Sequence, residues 1–433
     1  MQINPPHATI EGDLFDAFVK AGAISKDNSD DPKKSSFMRA ARTDKGVHAA
    51  GNVVSLKLII EDPDVVEKIN SHLPDQIRVW GISRTNKSFE CRKMCSSRVY
   101  EYLIPSYSFL PPKPSSAFAQ RIAAANAEHP DKQSIPDPEG EEFWSEIEKK
   151  LADEGVSQED IRKLSDMEEQ EQETRYSRAN SPDEAEEKQA KLTSQREELT
   201  AKEWAGIMKK IKSIENQARR AYRVSPERLE RIRQAFKLYE GVHNFHNFTI
   251  GKDFKDPSAT RYMKSLTVSD PKIIDGTEWL SIKIHGQSFM LHQIRKMVAM
   301  AALVVRNGCA PERITEAFGS TRISIPKAPS LGLLLEQPVY DAYNKKLQDF
   351  GHGAVSFEEH MEKLEAFKMK HIYDKIYSEE AKENVFHGFF AFIDAFRGDA
   401  QFDYLTSRGI EGATHTVKLS KEDQEELKGD TEG

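Results

Sequence analysis

Asp44 stands in the segment Arg42-Thr43-Asp44-Lys45-Gly46-Val47-His48, which is charged, then turn-prone, and then opens into an apolar alternating run over residues 52–60. Aspartate bonds its own backbone in turns and glycine accepts positive φ, so the spacing predicts a tight turn at the end of a strand. A carboxylate held there, with Arg42 two residues away to keep it ionised, can act as a covalent nucleophile. The same residue types also make an ordinary solvent-exposed Asx-turn, and Asp-Lys-Gly alone favours that reading. Competing chemistries find less. Cys91 and Cys95 have no CxxC spacing and no histidine pair beside them, so buried thiols rather than a zinc site are expected. Three cysteines in all cannot frame a disulfide scaffold, which argues for a reducing compartment. There is no P-loop and no strand-linked GxGxxG, so nucleotide binding lacks support.

Four further segments, in chain order, complete a pattern around the Asp44 turn. They are Phe89-Glu90-Cys91-Arg92 with Arg98-Val99-Tyr100-Glu101-Tyr102; Gly241 to Thr249 with Thr260-Arg261-Tyr262; Ser288-Phe289-Met290-Leu291-His292-Gln293-Ile294-Arg295; and Leu331-Gly332-Leu333-Leu334-Leu335. Together, over roughly residues 9–110 and 200–345, they resemble the TruA family of tRNA pseudouridine synthases in its eukaryotic multisite branch. The resemblance implies an α+β pseudouridine synthase fold. Two αβ halves would share a mixed, mainly antiparallel sheet, with flanking helices and a central RNA-binding cleft.

It also implies isomerisation of uridine to pseudouridine in tRNA, with small nuclear RNA as a second candidate substrate. The target base would be flipped out, because C5 and the glycosidic bond are hard to reach inside a stack. Asp44 is then the nucleophile, attacking C1′ or C6. Arg295 is its ionic partner and Arg42 helps extrude and hold the RNA, although the two could exchange roles. Tyr100 stacks on the base, its ordinary pKa near ~10 making it a poor base, and Leu333 packs there to exclude water. Arg39, Lys45, His48, Arg92 and His292 are the RNA-binding candidates. The reaction transfers no electrons and hydrolyses nothing, so neither a cofactor nor a metal is expected. The branch suggests the nucleus, with mitochondrion and cytoplasm as alternatives. One departure stands out: the family's opening strand, of Gly-Tyr-x-Gly-x-x-Tyr-x-Gly character, has only its tail at residues 1–6. The alternative function is therefore a catalytically impaired RNA-binding or tRNA-folding protein.

The elements that must position these residues follow from caps and periodicity. Thr9 caps a helix whose Ile10, Leu14, Phe15 and Phe18 share one face, ending near Gly22. Strands are predicted at 37–41, 52–60, 77–83 and 99–105, with a helix from Asp62-Pro63 to about Leu73. In the later part, strands at 262–268 and 279–285 would pair as a hairpin across Asp275-Gly276. Met290, Ile294, Met297 and Ala301 form a helical stripe ending before Gly308, with Arg295 off it.

Charge is unevenly placed along the 433 residues. The net charge is −8, yet residues 141–190 hold 17 Asp/Glu against 7 Lys/Arg, leaving the rest at +2. That insert is poor in aromatics and suits a solvated helix or a disordered spacer. The expected organisation is a catalytic half at 1–110, the acidic insert at 111–200, the second catalytic half at 201–345, and a helical extension with a charged tail at 346–433. The longest apolar run, 297–305, is too short for a bilayer, and no secretory leader is recognisable, so no membrane partner is expected.

Overall fold

Leu280, Ile282 and Ile284 alternate with Ser281, Lys283 and His285, and in the computed structural model this run lies inside a sheet with its apolar residues fully buried. The structure describes residues 8–157, 159–163, 201–348, 354–398, 400–413, 423, 424 and 427. Its strands are β1 (Met38–Arg39), β2 (His48–Ala49), β3 (Val54–Ser55), β4 (Ser97–Pro105), β5 (Gly241–Asn244), β6 (Thr260–Val268), β7 (Lys272–Ile274), β8 (Thr277–Gly286) and β9 (Leu333–Val339). The helices are α1 (Ile10–Lys20), α2 (Val65–Ser71), α3 (Ala117–Glu128), α4 (Pro138–Asp153), α5 (Ala201–Ala221), α6 (Pro226–Lys237), α7 (Gln293–Arg306), α8 (Glu312–Glu316), α9 (Asp341–Gln348), α10 (Met361–Lys368), α11 (Asp374–Glu383) and α12 (Val385–Asp394).

The larger sheet is mixed, in the order β2-β9-β4-β8-β6-β5, with β7 beside β8. Every pairing is antiparallel except β2 with β9, where His48 faces Leu334 and Ala49 faces Leu335. Tyr100, Tyr102 and Ile104 stand opposite Ile284, Ile282 and Leu280, so these six share one face. Met297, Met300 and Val304 of α7 belong to the same buried cluster. Each such side chain contributes about 1.5–3 kcal/mol on burial. The other face carries Glu101 opposite Lys283. There Glu101 accepts from Tyr373 (2.5 Å), and Lys368 of α10 bonds Glu336 of β9 (2.9 Å), which ties the later helices onto the sheet.

Thr9 caps α1 as expected, its hydroxyl accepting from the Gly12 amide at 3.1 Å. Two strand expectations fail. Of residues 52–60 only Val54–Ser55 pairs, with Met38–Arg39, and residues 77–83 form no strand. A strand needs a partner ladder, and here the backbone finds other partners. Lys57 N–H donates to the Ser35 carbonyl, Ile59 N–H to that of Ala23, and the Asn70 side chain clamps Val79 through N–H and carbonyl, both at 2.8 Å. The expected pairing of 262–268 with 279–285 forms as β6 against β8, but the Asp275-Gly276 turn, with φ of 48° and 81°, joins β7 to β8. Both central residues have the positive φ that the tightest hairpins need.

The start of the acidic insert is helical, with Asp137 capping α4 and Pro138 opening it. Trp144, Ile147 and Leu151 pack against Trp204 and Ile211 of α5. The remainder, residues 164–200, lies outside the described residues, as does Lys418, where the charged tail is expected to begin. Entry to and exit from the α4–α5 pair are tied together. Arg228, buried at the start of α6, bonds Asp137 (2.5 Å), Glu139 (2.9 Å) and the Phe109 carbonyl (2.6 Å). Glu139 also accepts from Tyr222 (2.5 Å) and Ser225 (2.6 Å).

Candidate active site

The Asp44 turn closes through Val47 N–H donating to the Asp44 carbonyl at 3.1 Å. Gly46 sits at φ 80°, and a Cβ there would come within 2.9 Å of the Ser330 hydroxyl, so both conformation and space select glycine. Immediately after, β2 makes its parallel pairing with β9, and Ala50 N–H donates to Leu335 at 2.8 Å. That pairing pins the loop to the sheet.

The side chain of Asp44 keeps 31% exposure, enough for a substrate to reach it, while its Oδ2 lies 3.5 Å from Nδ1 of a fully enclosed His292. His292 is the N-cap of α7 and has a left-handed backbone, φ 60°. Burial alone would push the Asp44 carboxyl pKa up. The contact with His292, then the charges of His292, Arg295 and Lys327, outweigh it and hold the pKa below the usual carboxylate value. The positive end of the α7 dipole at His292 acts in the same sense.

Arg295, one turn into α7, is fixed by its Nε donating to the Ala328 carbonyl at 2.6 Å. It lines a cavity of about 480 Å³ together with Gly46 and His48 from the Asp44 loop. Lys327, Pro329, Ser330 and Leu331 add a second wall, and Lys375, Glu379, Val385 and Phe389 from α11 and α12 a third. The His48 pKa is pushed down to about 4, by burial and then by Lys375, so its imidazole is neutral at physiological pH. Tyr100 packs edge-on to Phe289 at 5.0 Å. Burial, with Asp44 adding to it against Arg98, pushes its pKa up to about 12.

The structure thus gathers Asp44, Arg295 and His48 as the sequence suggests, with Tyr100 near enough to feel the Asp44 charge. Other expected residues fall elsewhere. Leu333 is buried opposite Tyr102 in the β4–β9 ladder, and the leucine on the cavity is Leu331. Arg39 is bound to Glu11 of α1 at 2.7 Å, which turns it inward rather than toward RNA. His292 is enclosed against Asp44, so its contact is the carboxylate and not a surface phosphate. Lys45 and Arg92 are exposed and Arg42 is half-buried. Sequence reasoning missed Lys327, Leu331, Lys375 and Phe389. The Pro326-Lys327-Ala328-Pro329 run just before the leucine strand could have pointed to Lys327; nothing local marks the helical residues. Among the described residues no three metal-ligating side chains cluster, and no helix is long and apolar enough to cross a membrane.

A family model described as tRNA pseudouridine synthase matches residues 235–341. The chain is 56% identical over 431 residues to tRNA pseudouridine synthase 1 of Yarrowia lipolytica, covering 99% of this chain and 78% of that one. It is 51% identical to tRNA pseudouridine synthase 1 of Saccharomyces cerevisiae, over 97% of this chain and 76% of the relative. To the tRNA pseudouridine(27/28) synthase of the same yeast it is 37% identical, over 89% and 93%.

Proposed function

Since this chain belongs to the tRNA pseudouridine synthase family and is an isomerase, we propose that it converts uridine in tRNA to pseudouridine with Asp44 as the nucleophile. The observation that carries this is an Asp44 carboxyl reachable by substrate yet held ionised, against its own burial, by His292, Arg295 and Lys327. A protein that only bound RNA would place no demand on such a group, since a carboxylate at an RNA surface repels phosphate. The impaired RNA-binding alternative finds no matching observation, and the relatives' names speak of tRNA alone.

The target uridine leaves its stack and enters the cavity beside Arg295, its unstacking offset by contacts with Leu331 and the surrounding walls. The ionised Asp44 bonds to C1′ as the N1–C1′ bond breaks and its electron pair leaves on N1. The freed uracil turns, C5 attacks C1′ and displaces the Asp44 carboxylate, and the C5 proton is lost to a base while N1 takes up a proton. Tyr100 holds the ring in place; with its pKa near 12 it starts as a neutral phenol and is no ready acceptor. Arg295 faces the charge on Asp44 throughout.

The test is release of tritium from C5-labelled uridine in unmodified tRNA by the parent and by Asp44→Asn. The substitution removes the charge and keeps the shape. The expected loss is at least about 10³-fold in single-turnover rate, with tRNA affinity retained. An Asp44→Asn protein within tenfold of the parent would remove Asp44 from the mechanism.

A further inference from the structure

Asp423 places its carboxylate 2.7 Å from the Lys327 ammonium and 4.0 Å from His292 Nε2. On its other side the same imidazole reaches Asp44 at 3.5 Å, so His292 stands between the two carboxylates. One turn along α7, Lys296 is almost wholly buried and its ammonium donates to the neutral carbonyl of Thr249 at 3.1 Å. Burial, then Arg322 and Lys327, draw its pKa down to about 7, and the Asp423 charge works against them. Lys327 and His292 therefore face the Asp423 carboxylate next to Asp44, with Lys296 close enough to feel its charge. A second contact seats the same stretch of chain: Leu427 packs against Gly251, where a Cβ would lie 2.8 Å from its methyl group.

Two lysines beside a nucleophile that must act on RNA suit a backbone phosphate near the target nucleotide. Charge-assisted bonds to Lys327 would hold it. We propose that this cluster is a phosphate subsite of the RNA and that the Asp423 carboxylate occupies it intramolecularly, competing with substrate. The proposal rests on the reading that tRNA is the substrate. It adds that substrate must displace Asp423 from Lys327, so the chain restrains its own binding site. A carboxylate carries one charge and two acceptor oxygens against the phosphodiester's one charge and two free oxygens, which makes it a fair mimic. Being tethered, it acts at a high effective concentration.

The experiment is equilibrium binding of labelled, unmodified tRNA to the full chain and to Asp423→Asn, Lys327→Ala and the double variant, across a salt series. Glu411→Gln serves as a control for removing an exposed acidic residue elsewhere. Asp423→Asn is expected to bind about threefold tighter at low salt, the scale of a partly exposed ion pair. Its log–log salt dependence should steepen by about 0.7, one added phosphate contact. Lys327→Ala should weaken binding, and on that background Asp423→Asn should bring no gain. Unchanged or weaker binding by Asp423→Asn overturns the proposal, and so does an equal gain from Glu411→Gln or an undiminished gain on the Lys327→Ala background. Binding is read without catalysis, so a failure of Asp44→Asn to abolish isomerisation would strike the functional reading and leave this comparison standing.

Discussion

The region that carries Asp44 and the region that receives it are built on different principles. Around β4, β8, β6 and β9 the backbone is spent in long ladders, and α7 is buried along nearly its whole length. Around residues 38–84 two short strands pair over two residues each, and α1 and α2 share a small apolar cluster with Phe37, Leu56, Ile77 and Val79. There the backbone is held by single contacts: Asn70 on Val79, Ser35 on Lys57, and Asn52 donating to Ala41 at 3.0 Å. The stiff region supplies the groups that orient charge, Arg295 and His292. The lightly laddered region supplies Asp44, the proposed nucleophile, on a turn. Between them run the parallel β2–β9 pairing and a bond from Arg98 to the Ala40 carbonyl at 2.8 Å. Precision at Asp44 is thus imported from the sheet rather than generated by the loop's own surroundings.

The contrast can be broken most forcefully in the core. Ile282→Ala should cost about 2–5 kcal/mol in global stability, read as a lower denaturation midpoint across every probe. Asn70→Ala should cost about 1–3 kcal/mol, since two bonds to Val79 vanish and leave its amide and carbonyl to find water. That loss should stay local, seen as faster amide exchange at residues 77–82 with the exchange of β8 unchanged. If Asn70→Ala instead speeds exchange in β8 as much as Ile282→Ala does, the two regions unfold as one and the contrast falls.

The smallest effect concerns coupling across the boundary. His292→Ala removes the main influence lowering the Asp44 pKa and leaves burial to raise it. The acid limb of kcat/KM should therefore move to higher pH. The stability linked to Asp44 ionisation follows the same sign. In the parent it is present above the unfolded pKa of about 3.9 and is lost as pH falls through the depressed folded value. An acid limb that stays in place would show that Arg295 and Lys327 suffice.

How far the sequence could be read depends on where each signal is decided. Thr9 and its helix, the β4 segment, the alternation of β8 and the stripe of α7 were legible because each depends on its own residues and their spacing. Residues 52–60 and 77–83 carry the alternation of strands without the neighbours that would make them so, and no local pattern reveals the absence of a ladder. The Asp275-Gly276 turn was visible, but its partner strand was not, because β7 is only three residues long. At the proposed site, Asp44, Arg295 and His48 were singled out through motifs. Lys327, Lys375 and Asp423 arrive from distant segments, and only folding brings them to the aspartate. Leu331 and Leu333 sit on opposite sides of an element boundary: Leu331 lies in the short 3-10 segment that lines the cavity, and Leu333 opens β9 in the ladder.

The buried guanidinium of Arg228 has a consequence for how this chain could be cut and joined. Its partners are Asp137, which caps α4, and Glu139 in the first turn of α4, while Tyr222, Ser225 and Arg228 follow α5, so the pair hangs from the body as a cassette whose two ends are already clasped. A splice that removed the cassette within residues 140–221 would keep the clasp. One that also took Asp137 and Glu139 would strand a buried cation, a defect on the order of 3–5 kcal/mol. An insert lengthened or shortened inside those limits would leave the clasp intact.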